Sequence, residues 1–154
     1  MKKRVVSILL ALVMCIGLLA VPAFAASSQS SFSDVGSHWA KDAIDFVSAR
    51  ELFSGKTPSS FAPDSPMTRA MVTTVLAQLD GVDTAGGAVW YENGLNWAVA
   101  HGISDGKNPG QLATREQFVS MLYRYAGNPA ATEKELNFAD ADQVSGYARE
   151  AMRW

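Results

Sequence analysis

Cysteine is nearly absent from this chain. The single one, Cys15, lies in an N-terminal apolar run, so the sequence beyond it contains no thiol. That excludes disulfide stabilisation, a thiolate nucleophile and a cysteine-ligated metal over the whole of that length. Histidine is almost as scarce. His38 and His101 are the only two, and they stand in no HExxH or comparable ligand spacing. There is no GxSxG elbow. Asp140 and Asp142 begin like a calcium loop, without the acidic residue and the glycine that should follow. Carboxylates are plentiful, but none stands in a recognisable acid–base pair. The sequence reads as non-enzymatic, with no cofactor and no metal site.

Basic charge is also short. Lys2-Lys3-Arg4 opens an n-region, Val5 to Val21 is apolar, and Ala23-Phe24-Ala25 is a small-x-small cleavage site. Residues 1–25 are therefore expected to be a secretory signal peptide. The apolar run is a little short of the roughly 20 residues of a spanning helix, so no membrane span is expected after cleavage. Cys15 follows Met14, not the small residue of a lipoprotein signal. Without Lys2, Lys3 and Arg4, 10 basic side chains (13 less 3) face 15 acidic ones, a net charge of −5. A nucleic-acid partner would need a basic face and is excluded. General attraction to an anionic wall is excluded by sign, so anion recognition falls to a few placed arginines. Nothing in the composition specifies an oligomeric state.

Sustained alternating runs are missing too, while helical periodicity is abundant. Residues 26–31 form a Ser/Ala/Gln linker, and structure is expected from Phe32-Ser33-Asp34. Trp39, Ala40, Ala43, Ile44 and Val47 share a helical face from Ser37 to near Phe53, with Gly55 as the left-handed terminator. After Phe61-Ala62-Pro63-Asp64-Ser65-Pro66, a second helix starts at Thr68 with Met71, Val72, Val75, Leu76 and Leu79 inward and Gly81 closing it. Each pair predicts a helix-loop-helix hairpin.

The pattern then repeats. Trp90, Leu95, Trp97, Ile103 and Gly106 match Trp39, Ile44, Phe46, Leu52 and Gly55 at an offset of 51, which becomes 46 once the loop is passed. The second closing helix carries Phe118, Met121, Leu122 and Tyr125 and ends at Gly127, and Thr114 with Gln117 makes a capping box. A third copy opens at Phe138-Ala139-Asp140 and has reached only its first helix at Trp154. The expected divisions are 32–85, 86–130 and a truncated 138–154. Trp39, Trp90 and Trp97 are assigned to the core rather than to sugar stacking, and Asp34 and Asp140 to capping a turn.

One pair of residues does not suit its place. Arg69 and Arg115 each follow a capping threonine, Thr68 or Thr114, and so put a cation at the positive end of a helix. That costs a few tenths to about 1 kcal/mol. The bland reading is a solvated side chain, or one paired with Asp64 or another carboxylate. Matched placement in two copies favours an anion.

The ordered set Phe32-Ser33-Asp34, His38-Trp39-Ala40, Ala43-Ile44, Gly55, Phe61-Ala62-Pro63 and Met67-Thr68-Arg69-Ala70, repeated through Thr114-Arg115-Glu116-Gln117, resembles the S-layer homology family. The resemblance implies an all-α fold in which repeated hairpins pack about a pseudo-threefold axis, here truncated in the third repeat. It implies an exported protein at the cell surface or wall, held to a secondary cell-wall polysaccharide, often pyruvylated, in grooves between repeats. It also implies a ligand-binding set of Arg69, Thr68 and Gly55 in the first repeat and Arg115, Thr114 and Gly106 in the second. Thr68 and Thr114 serve first as caps, and Gly55 and Gly106 first as helix terminators. The chain departs from the family in places. Met71 replaces the usual Glu or Gln, so the first capping box is expected to be lost; the second copy lacks Phe-x-Pro and a clear Phe-x-Asp; the third has no Thr-Arg pair. Two other readings stay open. One is the attachment end of a wall-acting hydrolase whose catalytic part lies beyond residue 154, and the other is a helical protein–protein module.

Overall fold

Among the described residues, helical periodicity becomes helix in five places. The computed structural model describes residues 32–154, so the signal peptide and linker readings for 1–25 and 26–31 lie outside the described residues. The helices are α1 (Lys41–Ser48), α2 (Arg69–Leu79), α3 (Glu92–Ala100), α4 (Arg115–Tyr125) and α5 (Arg149–Arg153). Single 3-10 turns at Ala141–Gln143 and Gly146–Ala148 precede α5. Among the described residues there is no strand, only isolated bridges joining Thr57 to Ser60 and Thr68 to Leu112. The fold is all-α.

The first helix is shorter at both ends than the expected span of Ser37 to Phe53. Its entry is a series of turns, in which the His38 amide donates to Val35 O and the Lys41 amide to His38 O. The His38 ring helps by accepting the Ala40 amide at Nδ1, 3.2 Å away. At the exit, Glu51 takes the left-handed conformation (φ 58°) and the Leu52 amide turns back to Val47 O at 3.0 Å. Glu51, not Gly55, thus terminates α1. The same correction holds in the second copy, where Gly102 (φ 67°) terminates α3 and Gly106 (φ 72°) lies further along the loop. Gly81 and Gly127 close α2 and α4 as expected, at φ 79° and 82°.

Which helix packs on which differs from the sequence expectation. The opening and closing helices of one copy do not pair as hairpins. Instead α3 packs on α2, α5 packs on α4, and α2 and α4 touch; among the described residues the backbone of α1 lies against no other helix. The α3 and α4 backbones stay apart and meet through side chains, with the Trp97 and Tyr125 rings 6.2 Å between centroids. The long connections carry each closing helix away from its own opening helix. The α2–α3 contact is close because Gly94 has no side chain there. A Cβ on Gly94 would stand 2.8 Å from Thr74 Cα.

The core is built on this arrangement. Val72 and Leu76 of α2, Ala98 of α3, Ile103 and Met121 form one buried cluster, flanked by Met67, Trp97, Leu122 and Tyr125. Trp97 therefore is a core residue as expected. Trp39 and Trp90 are not, being 90% and 59% exposed. Their position at the entry to an opening helix points the rings away from the face that buries Ile44 or Ala98. A smaller aromatic group, Phe32, Phe53 and Phe61, fastens the first loop, with centroids 5.3 Å and 6.1 Å from Phe61. Among the described residues no helix is long and apolar enough to cross a membrane.

Candidate functional site

The two Thr-Arg helix starts are alike in sequence and different in structure. Thr68 and Thr114 both have extended backbone, and their hydroxyls accept the amides of Met71 and Gln117 at 3.2 Å and 3.3 Å. In the second copy the Gln117 carbonyl oxygen returns the bond to the Thr114 amide at 3.2 Å. The first copy does not lose its box outright. Met71 Sδ lies 3.5 Å from the Thr68 amide and takes the place of a carboxamide, as a weak acceptor.

The start of α2 is sealed by the second copy. Gln111 O accepts the Arg69 amide and Pro109 O the Ala70 amide, each at 2.9 Å. The Arg69 side chain closes the same junction: its Nε donates to Lys107 O at 3.0 Å and its guanidinium pairs with Asp105. That side chain is only 13% exposed. At α4 nothing comparable happens. Among the described residues, the amides of Arg115 and Glu116 have no protein partner, and the Arg115 side chain is exposed and unpaired.

Two clefts follow from these junctions. The first, about 260 Å³, runs beside α4 between Arg69, Asp105, Gln117, Arg124 and Tyr147. The second, about 240 Å³, lies at the start of α4 between Thr114, Arg115, Phe138, Asp140 and Met152. Glu116 stands between α4 and the third copy. Its carboxylate accepts the Ser145 amide and hydroxyl at 2.9 Å each and the Tyr147 hydroxyl at 3.1 Å. The Ser145 amide is the main cause that holds Glu116 below the usual carboxylate range. Burial, then Glu116, pushes the Tyr147 hydroxyl up.

Of the six residues expected from sequence, the structure brings Arg69 to the loop that holds Gly106, and places Thr114 and Arg115 together in the second cleft. Thr68 is occupied as a cap and bridged to Leu112. Gly55 is required by its own surroundings, since a Cβ there would meet the Phe32 ring at 2.6 Å. Asp34 also does more than cap a turn. It accepts the amides of Phe61 and Ala62 at 3.0 Å and 2.8 Å and the Ser60 hydroxyl at 2.8 Å, which lowers its pKa to about 2. Sequence reasoning missed Arg124, Asp105 and Tyr147. Only Tyr147 carried a signal, as the match of Trp39 and Trp90.

Residues 31–70 match the S-layer homology domain. The chain is similar to an amylopullulanase of Thermoanaerobacterium thermosulfurigenes, 30% identical over 80% of this chain and 8% of that protein. It is similar to exoglucanase XynX of Acetivibrio thermocellus, 30% identical over 79% of this chain and 13% of that protein. An endoglucanase of Bacillus sp. (strain KSM-635) is 27% identical over 98% of this chain and 18% of its own length. The chain thus spans less than a fifth of these relatives. No solved structure gives a significant match. Residues 31–70 carry the assignment: over them the chain matches the S-layer homology domain.

Proposed function

We propose that this chain is a non-catalytic module that anchors an exported protein to the cell surface by binding a cell-wall polysaccharide. The observation that carries this reading is the S-layer homology match at residues 31–70, which supports a cell-surface location. The two clefts supply the chemistry. Each is lined by arginine, in a chain whose overall charge is acidic, so anion recognition is local rather than diffuse. A pyruvylated polysaccharide suits them because a ketal carboxylate matches a guanidinium in two-pronged geometry. Arg115 and Thr114 form the open site, where unpaired helix-start amides can share the anion. Arg69, Thr68, Gly55 and Gly106 complete the proposed set as the framework of the neighbouring junctions.

The proposed three-repeat closure has support in the packing order. α3 covers α2 and α5 covers α4, while α1 has no such partner among the described residues. Ala43 of α1 is exposed, whereas its counterparts Gly94 and Ala151 are buried. A third closing helix would occupy that face and complete a pseudo-threefold bundle.

A second reading is favoured by the relatives' names. All three are glycan-degrading enzymes of which the chain spans 8–18%, so this module could be the attachment end of such a wall-acting hydrolase. It differs from the first only in cargo.

The test is sedimentation of the secreted protein with purified wall polysaccharide, native and after mild-acid removal of its ketals. Binding to the native polymer is expected, with loss after ketal removal. No binding to either polymer overturns the anchoring function, and equal binding to both overturns the pyruvyl assignment.

A further inference from the structure

The two capping boxes differ in the acceptor they use, and one of the two acceptors is chemically reactive. In the second copy the Gln117 carbonyl oxygen accepts the Thr114 amide at 3.2 Å. In the first, the Thr68 amide has the Met71 thioether at 3.5 Å and no other protein acceptor among the described residues. A thioether is a weak acceptor, so this donor is poorly satisfied. Its place makes that matter. Met67 O accepts the Ala113 amide and Gln111 O the Arg69 amide, each at 2.9 Å, so Thr68 sits inside the segment that docks on the second copy.

Met71 is also within reach of solvent. Among the described residues, Met121 is buried in the core, while Met67, Met71 and Met152 are half-buried. Of these, Met71 alone holds its sulfur against a backbone amide. The Met71 sulfur and the Gln117 carboxamide carbon occupy the same position along their side chains, one bond beyond Cγ. An oxygen added to that sulfur therefore falls where glutamine carries its own, with the methyl in place of the amide nitrogen.

We propose that Met71 is an oxidation site whose sulfoxide completes the first capping box. The oxidant is hydrogen peroxide. A sulfur lone pair attacks one peroxide oxygen, and the S–O bond forms as the O–O bond breaks. The second oxygen leaves as hydroxide and takes the proton from the first, ending as water. Sulfur loses two electrons and the peroxide gains them. After rotation about Cγ–Sδ, the new oxygen accepts the Thr68 amide as the Gln117 oxygen accepts that of Thr114. Oxidation of a core methionine such as Met121 disrupts packing, whereas at Met71 it tightens the junction between the first two copies. This chemistry is independent of what the clefts bind.

Treatment of the secreted chain with hydrogen peroxide, followed by peptide mass spectrometry and amide exchange by NMR, tests this. Met71 should gain one oxygen, and exchange at the Thr68 amide should then slow by roughly two- to tenfold. Reduction by a methionine sulfoxide reductase should reverse both changes. Met71→Gln should show the slow rate without peroxide, and Met71→Leu a fast rate that peroxide leaves unchanged. Faster or unaltered exchange at Thr68 once Met71 is oxidised would overturn the proposal. So would oxidation of Met67 and Met152 that leaves Met71 a thioether, or a slowing that peroxide also produces in Met71→Leu. The wild-type chain before and after peroxide supplies the comparison by itself, so a variant that fails to fold leaves the test decisive.

Discussion

The carboxylate of Glu116, in the first turn of α4, accepts both the amide and the hydroxyl of Ser145 at 2.9 Å. One side chain thereby joins the second copy to the opening of the third. It also sits on the wall between the two clefts, because Tyr147, which lines the first, donates its hydroxyl to the same carboxylate.

That clasp makes the junction sensitive to acid. The bonds favour the charged carboxylate, so the folded pKa of Glu116 is depressed. A depressed carboxylate stabilises fully above its unfolded pKa, and the contribution is lost as pH falls through the folded value. Hydrogen exchange at the Ser145 amide should accelerate on acidification, and Glu116→Gln should show the fast exchange already at neutral pH. Equal protection in the variant and the wild type at neutral pH would mean that other contacts hold the third copy.

Asp34 should behave likewise at a lower pH. Its carboxylate holds Phe61 and Ala62, and Ala62 sits in the left-handed region at φ 59°. With a folded pKa of about 2, the loop should stay protected until close to that pH. Asp34→Asn should release it at neutral pH and lower the Tm. Exchange rates at the Phe61 and Ala62 amides decide the point.

Gly94→Ala should be among the more damaging small substitutions. The added methyl would lie 2.8 Å from Thr74 Cα, and backbone cannot move aside as a flexible side chain does. Pushing α3 off α2 should cost about 1–3 kcal/mol. A urea midpoint equal to that of the wild type would show that the helices can separate freely.

Glu51→Gly should have the opposite sign. Glu51 terminates α1 at φ 58°, where glycine is unstrained, and its counterpart in the second copy is Gly102. Relief of roughly 1–2 kcal/mol of left-handed strain, less roughly 0.5–1 kcal/mol for glycine's added freedom when unfolded, leaves a small gain. Thermal melts should show a Tm at or above that of the wild type, and a clear drop would contradict this account.

Arg69→Ala and Arg115→Ala should separate folding from binding. Arg69 joins the start of α2 to the second loop through Asp105 and Lys107, so its loss should lower stability by about 1 kcal/mol, a surface-discounted figure. Arg115 is unpaired and exposed, so its loss should leave stability within about 0.5 kcal/mol. Polysaccharide binding should fall in Arg115→Ala at unchanged Tm. If both variants melt and bind alike, the two helix starts are equivalent after all.

Much of this protein is determined locally. The apolar period places α2 and α4, the threonines at 68 and 114 cap them, and Gly81 and Gly127 stop them, because these features depend on residues within a turn or two. The repeat is legible for the same reason, since matched residues recur at a fixed offset whether or not they touch. Tertiary structure decided the rest. Periodicity says that a helix has an apolar face but not which helix covers it, so the expected hairpins gave way to α3 on α2 and α5 on α4. It cannot say that Trp39 stands at the rim of its helix, 90% exposed, rather than over the core. Nor can it distinguish Arg69 from Arg115. The two follow the same capping threonine, and only contacts reaching across 36 and 38 residues, to Asp105 and Lys107, turn one into a half-buried clamp and leave the other exposed.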